Sequence, residues 1–192
     1  MSTQVNSGDT VCICSCHQPR EEGGRLEYPL VCERCRDAHP TGSTGVPPAR
    51  VARLRTLTRH DLSDLCKLLS QLSTVGEVTE ERLMAFYRDV ASNDRHTVAV
   101  FEGDDGHVIG TATLLVEPKL LHGGSFVGHI EDVVIDQQYR GIGLGKLLIT
   151  HLIDCARKDG CYKVILDCND KTIGFYEKCG LEKHGNYMAM YF

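Results

Sequence analysis

The sequence predicts an α/β fold: a mixed central β-sheet flanked by helices, preceded by a small cysteine-rich segment. Three observations predict it. From Val51 onward, short runs rich in β-branched residues alternate with segments whose apolar residues recur at helical spacing. A glycine-rich turn, Arg140-Gly141-Ile142-Gly143-Leu144-Gly145-Lys146, joins one such run to one such segment. Five of the ten cysteines, Cys12, Cys14, Cys16, Cys32 and Cys35, crowd together ahead of all of this, and the other five are scattered singly from Cys66 to Cys179.

Residues 51–57 read as a strand. Thr58 then caps a helix over 60–72, with Leu62, Leu65, Leu68 and Leu69 on one face. A second helix runs over 79–90 with Thr79 at its start. Residues 97–101 and 108–116 read as strands joined by Gly103-Asp104-Asp105-Gly106, a hairpin turn signal. Residues 126–135 form a further strand rich in β-branched residues. Residues 143–157 form a helix, 163–166 a short strand, and 172–178 a short helix ended by Gly180. Residues 181–191 return as a final strand or strands.

At 192 residues the chain holds one packed domain and an extension. Thr-Gly-Ser-Thr-Gly-Val-Pro, just before Pro48, has linker composition, which sets a boundary near Arg50 and divides the chain into 1–50 and 51–192. A hydrophobic fraction of 42% and a charged fraction of 24% suit a soluble protein, and a net charge of -5 gives no reason to expect nucleic acid as a partner. No run is apolar enough to span a membrane. Residues 1–10 are polar and lack a signal core, so the expected setting is the cytoplasm, with reduced thiols.

The glycine-rich turn is the most informative segment. Alternate glycines remove every Cβ from one side, so a ligand can approach the bare backbone. Successive amide N–H groups and the positive end of the following helix make an anion site that fits a pyrophosphate. A purely structural turn and a dinucleotide fingerprint compete with this reading. The fingerprint requires Gly-x-Gly-x-x-Gly on the first strand of its domain, whereas here the spacing is Gly-x-Gly-x-Gly on a late strand.

The spacing Arg140-x-x-Gly143-x-Gly145 matches the acyl-CoA pyrophosphate motif of the GNAT acetyltransferase superfamily. Residues 128–135 (Gly-His-Ile-Glu-Asp-Val-Val-Ile) precede it, and Leu166-Asp167-Cys168 and 174–180 (Gly-Phe-Tyr-Glu-Lys-Cys-Gly) follow. Together these resemble the glucosamine-6-phosphate N-acetyltransferase family over residues 51–192, most strongly over 128–180. The resemblance implies a GNAT fold and direct acetyl transfer from acetyl-CoA to an amino sugar phosphate in a ternary complex, a step toward UDP-N-acetylglucosamine. It also implies a homodimer whose sites draw on both chains. Two other readings are an acetyltransferase acting on a protein amine or another amino sugar, and a zinc-dependent interaction protein that senses acetyl-CoA.

The resemblance assigns backbone groups of Val133, Val134 and Ile135 to the pantetheine arm and residues 140–146, Arg140, Gly141, Ile142, Gly143, Leu144, Gly145 and Lys146, to the pyrophosphate. Tyr176 stabilises the leaving thiolate: a phenol with an ordinary pKa of about 10 stays protonated at neutral pH. Asp167 orients the attacking amine, with Cys168 beside it in the substrate site. Glu131 and Asp132 suit hydrogen bonds to sugar hydroxyls. Lys119 and His122 approach the sugar phosphate, and Ser73 offers a hydroxyl where relatives often carry threonine. Relatives commonly carry a phosphate-binding arginine near the C-terminus; here residues 186–192 hold no cation. No Cys/His pairing that would activate a nucleophilic thiol is evident, and Cys168 and Cys179 read as small core residues.

The N-terminal cysteines offer two knuckles, Cys14 and Cys16 (or His17) and then Cys32-x-x-Cys35, which fit a tetrahedral structural zinc site.

Overall fold

The computed structural model describes residues 51–191 together with the backbone of three short strands between residues 10 and 27. Eight strands are numbered in chain order: β1 (Thr10–Cys12), β2 (Arg20–Glu22), β3 (Arg25–Glu27), β4 (Val51–Thr56), β5 (His96–Glu102), β6 (Val108–Pro118), β7 (Phe126–Ile135) and β8 (Cys161–Ile165). The helices are α1 (Leu62–Leu69), α2 (Glu80–Ala91), α3 (Leu144–Lys158) and α4 (Ile173–Glu177). One sheet runs β1-β4-β5-β6-β7-β8, and β2 pairs with β3. Every pairing in the larger sheet is antiparallel except β7–β8, which is parallel and is bridged by α3. The predicted mixed sheet with flanking helices is therefore observed.

Each face of the sheet carries its own core. On one, α3 buries Leu144, Leu148, Ile149 and Leu152 against Leu54, Phe101, Leu114 and Ile130. Gly128 lets the helix approach: a Cβ there would meet the Ala156 methyl at 3.2 Å and Leu114 at 3.1 Å. On the other face, Leu62, Leu65 and Leu68 of α1 cover Val98, Val100 and Val134.

Most local signals hold. Thr79 Oγ1 accepts the Arg82 N–H at 3.3 Å. The Gly103–Gly106 hairpin closes through Gly103 N–H to the His107 carbonyl at 2.9 Å. Gly180, with φ of 88°, ends α4. The helix predicted over 60–72 is shorter. A 3-10 turn, Arg59–Asp61, precedes it because the Asp61 carboxylate turns back to accept the Thr58 N–H at 2.7 Å and its hydroxyl at 2.8 Å. At the other end the Ser70 hydroxyl donates to the Lys67 carbonyl at 2.6 Å, and the chain leaves the helix in tight turns.

The final strand predicted over 181–191 is not found. Its large apolar side chains stand in solvent: Met188 is 91% exposed and Tyr191 89%. A strand exists by pairing, and within this single chain the segment meets no sheet edge among the described residues. No helix of the described residues is long and apolar enough to cross a membrane.

Candidate active site

The site begins at a fault in β7. Thr113 pairs with Glu131 and Thr111 with Val134, so Ala112 alone stands opposite Asp132 and Val133. This is a β-bulge. Asp132 absorbs it with φ of 53°, a left-handed conformation that aspartate tolerates better than most residues. The bulge reverses which residues face α3: Phe126 and Ile130 do so before it, Val133 and Ile135 after it. It also turns β7 away from β8. Parallel pairing ends at His129 opposite Ile165, so beyond it the β8-side edge of β7 has no pairing with β8. That opening runs along Val133 and Val134, two of the residues expected to meet the pantetheine arm. The Ile135 carbonyl is engaged, accepting from the Arg140 Nε at 2.8 Å.

The phosphate-binding turn stands at the far end of this opening. A 3-10 turn, Gln137–Tyr139, leads through Arg140 into α3. The three glycines serve different ends. Gly141 and Gly143 adopt φ of 81° and 93°, where any Cβ is strained. Gly145 sits under the Phe175 ring, whose Cζ would lie 3.1 Å from an added Cβ. The third glycine is thus explained by packing against α4, and the first two by backbone conformation. Helix α3 has no acidic residue in its first turn. Its opening N–H groups and dipole therefore face an incoming anion without competition, with Lys146 beside them.

Helix α4 packs Tyr176 against the same core that Val133 and Ile135 join. Its ring packs edge-on against Phe175, with centroids 4.9 Å apart. Burial, reinforced by the neighbouring thiols of Cys168 and Cys179, pushes the phenol up to about 12. Tyr176 is held in its neutral, donating form across the physiological range. Cys168 is exposed, which corrects its reading as a core residue; Cys179 is half-buried and pushed up to about 11, chiefly by burial. Burial thus leaves the Cys179 thiol unactivated. One Cys/His pair that sequence reading missed is present: His151 and Cys155, one turn apart on α3, lie 3.7 Å from each other. Burial pushes the histidine down and the thiol up, so both stay neutral and the pair is no nucleophile.

Asp167 lies two residues past the last β7–β8 pair, His129 opposite Ile165, and near enough to Glu131 for its charge to act there. Burial and the charges of Asp132 and Asp167 together push Glu131 above the usual carboxylate value. The three carboxylates, all exposed, thus form one acidic patch at the bulge. Ser73 lies in an open concavity lined by residues 70–76 after α1.

Two expected residues lie elsewhere within this chain. Lys119 and His122 flank the start of β7, five residues and roughly 17 Å along the strand from Glu131. The Lys119 ammonium pairs with Glu117 at 2.5 Å, and the His122 ring stacks on Tyr162 with centroids 4.0 Å apart. A single copy does not bring them to the carboxylates. Sequence pattern carries no signal for this, since it depends on sheet register. The candidate zinc ligands Cys14, Cys16, His17, Cys32 and Cys35 lie outside the described residues.

The site is thus a bulged strand that parts from its parallel neighbour and leads into a glycine-rich helix N-terminus, with a neutral tyrosine on α4, the helix whose Phe175 packs on that turn. Residues 62–181 match the Acetyltransferase (GNAT) family, and the chain belongs to it. Members of this family use acetyl-CoA as the acetyl donor. Among its relatives, glucosamine 6-phosphate N-acetyltransferase of Trypanosoma brucei brucei is 42% identical over 138 residues, 71% of this chain and 93% of the relative. The enzyme of that name from Candida albicans is 37% identical over 148 residues, 77% of this chain and 99% of the relative. The crystal structure of glucosamine-6-phosphate N-acetyltransferase from Arabidopsis thaliana aligns with a TM-score of 0.71 at 38% identity, covering 73% of this chain and 98% of that one.

Proposed function

We propose that the chain transfers the acetyl group of acetyl-CoA to the amine of D-glucosamine 6-phosphate, giving CoA and N-acetyl-D-glucosamine 6-phosphate. The carrying observation is the likeness, across nearly their whole length, to relatives bearing that name, joined to an acidic patch at the bulge that suits an amino sugar.

The chemistry follows from the residues. The pyrophosphate lies on residues 140–146 and the pantetheine extends along the opened edge of β7. Backbone amides near the bulge polarise the thioester carbonyl. Asp167 accepts a hydrogen bond from the amine and aims its lone pair; Glu131 and Asp132 accept from sugar hydroxyls, with Cys168 alongside. The patch attracts the substrate as an ammonium ion, so one proton must leave before attack. The nitrogen then bonds to the carbonyl carbon, the carbon–sulfur bond breaks, the departing thiolate takes the Tyr176 proton, and the second proton shed by the acylated nitrogen passes through solvent to restore the phenol. Transfer is direct, in a ternary complex, and burial holds the Cys179 thiol in its neutral form.

The same reading makes the working enzyme a homodimer. Lys119 and His122 stand too far from the carboxylates of their own chain to meet the phosphate of a shared substrate, and the apolar tail over 187–191 stands exposed. A second copy answers both: its tail pairs as the missing strand and its cations reach this site. Product then feeds UDP-N-acetylglucosamine synthesis in the cytoplasm, a setting the free thiols fit. Residues 1–50 form an extension, joined to the main sheet through β1, that holds zinc through Cys14, Cys32, Cys35 and either Cys16 or His17. Metal analysis of the full chain under reducing, chelator-free conditions is expected to give one zinc per chain, and none after removal of residues 1–50. Full-length protein without zinc refutes this site.

The substrate is tested by following CoA release with glucosamine 6-phosphate, glucosamine and a lysine peptide in parallel. The phosphorylated sugar is expected to be preferred by at least about a hundredfold, the scale at which unmet charged contacts register. Equal rates with glucosamine, or a preference for the peptide, overturn the substrate and leave the acetyltransferase class intact.

A further inference from the structure

Helix α1 ends four residues before Ser73, and between them stands Gln71. Its side chain leaves its own loop entirely. Nε2 donates to Asp136 Oδ2 at 2.7 Å, and Oε1 accepts the Gln137 N–H at 3.0 Å, across 65 and 66 positions of sequence. Asp136 in turn caps the 3-10 turn, its Oδ1 accepting the Gln138 N–H at 2.8 Å. The Asp136 N–H is anchored to the Ile109 carbonyl at 2.9 Å, and the Arg140 Nε to the Ile135 carbonyl at 2.8 Å. Residues 135–140, the entry to the pyrophosphate turn, are thus braced internally and tied through one side chain to the loop over 70–76.

Glutamine is suited to this. It carries a donor and an acceptor on one planar amide, and both are used. The tie is exposed to water, so it adds little to global stability. Its consequence is positional: neither loop can move far without breaking a bond to the other. Ordering the turn around a pyrophosphate lowers the entropy that the 70–76 loop must lose when it closes on its own ligand, and the reverse holds equally.

We propose that Gln71 is a positioning residue that couples occupancy of the coenzyme turn to binding of the amino sugar, so that each substrate tightens the other. The inference rests on the reading of residues 70–76 as part of the amino-sugar site. Thermodynamic linkage makes the coupling reciprocal and measurable without turnover.

The test is calorimetric titration of the full chain with CoA and with glucosamine 6-phosphate, each alone and in the presence of the other. CoA carries no acetyl group, so nothing reacts. The wild-type chain is expected to bind the sugar phosphate about fivefold to tenfold more tightly when saturated with CoA, at the lower end of measured allosteric couplings. In Gln71→Ala each ligand alone binds within about twofold of wild type while the coupling falls to about twofold or less. Gln71→Glu behaves likewise, since it sets a carboxylate against Asp136. The double variant Gln71→Glu/Asp136→Asn reverses the polarity of the Gln71–Asp136 bond and keeps acceptors for the Gln137 and Gln138 N–H groups. It restores the coupling, which a merely structural role of Gln71 does not explain. Wild-type coupling near unity, undiminished coupling in Gln71→Ala, or failure of the double variant to restore it overturns the proposal. A wild-type chain that binds CoA but no sugar phosphate, with or without CoA, defeats the substrate reading and this proposal together, and is told apart from the other failures by that missing isotherm.

Discussion

Replacing Tyr176 with phenylalanine is expected to lower kcat about a hundredfold while leaving the KM for acetyl-CoA within about twofold. The loss corresponds to about 2.7 kcal/mol of transition-state stabilisation, the contribution of one well-placed proton donor to a developing thiolate. The ring itself stays, so its packing on Phe175, which in turn covers Gly145, is kept and the glycine-rich turn keeps its shape. Two controls sharpen the expectation. An acetyl thioester with a more acidic leaving thiol needs less help and should lose less than acetyl-CoA does. Because burial pushes the Tyr176 phenol up to about 12, the wild-type rate should show no fall from its ionisation up to about pH 10. A variant that turns over at the wild-type rate removes Tyr176 from the chemistry and leaves it a packing residue of α4.

The elements that position this site were legible because each has a local cause. The glycine spacing of 141–145 forecast a turn before a helix, and Thr79 and Gly180 marked real helix ends. The bulge had a signal as well: Glu131-Asp132 interrupts an apolar strand, and aspartate is among the few residues that accept a positive φ. Its sequence reading as a sugar-binding pair drew on the same two residues for a different reason. What stayed hidden depends on long-range geometry. Gln71 is one polar residue after a helix, and nothing near it in sequence points to Asp136. The distance from Lys119 to Glu131 follows only once β6 and β7 are in register. The tail over 181–191 carries strand propensity, but propensity names no partner, and that segment pairs with no strand among the described residues.

Asp61 shows what the same logic predicts for stability. It stands where β4, α1 and β5 meet. Its side chain, 8% exposed, accepts from Arg55 Nη1 at 2.6 Å and Nη2 at 2.8 Å, and from the Thr58 N–H and hydroxyl. Arg55 also donates through Nε to Glu102 at 2.7 Å. Burial alone would raise the Asp61 carboxyl, but the Arg55 guanidinium and Thr58 outweigh it and hold it below the usual carboxylate value. Asp61→Ala leaves four donors without this acceptor while Glu102 still meets Arg55, and is expected to destabilise the chain by about 3 kcal/mol in urea unfolding. The pH dependence has a definite sign. A carboxylate whose folded pKa is depressed contributes fully above its unfolded value of about 3.9 and loses that contribution as pH falls through the folded value. Wild-type stability should therefore decline below about pH 4, and Asp61→Ala should flatten that decline. Part of the slope should survive the substitution, because Asp64 is also held low; burial raises it, but His107 and Lys67 prevail. A variant with wild-type stability at pH 7 would mean that this junction is held by the apolar contacts of Leu57, Leu62 and Leu65 and that the charge network only orients them.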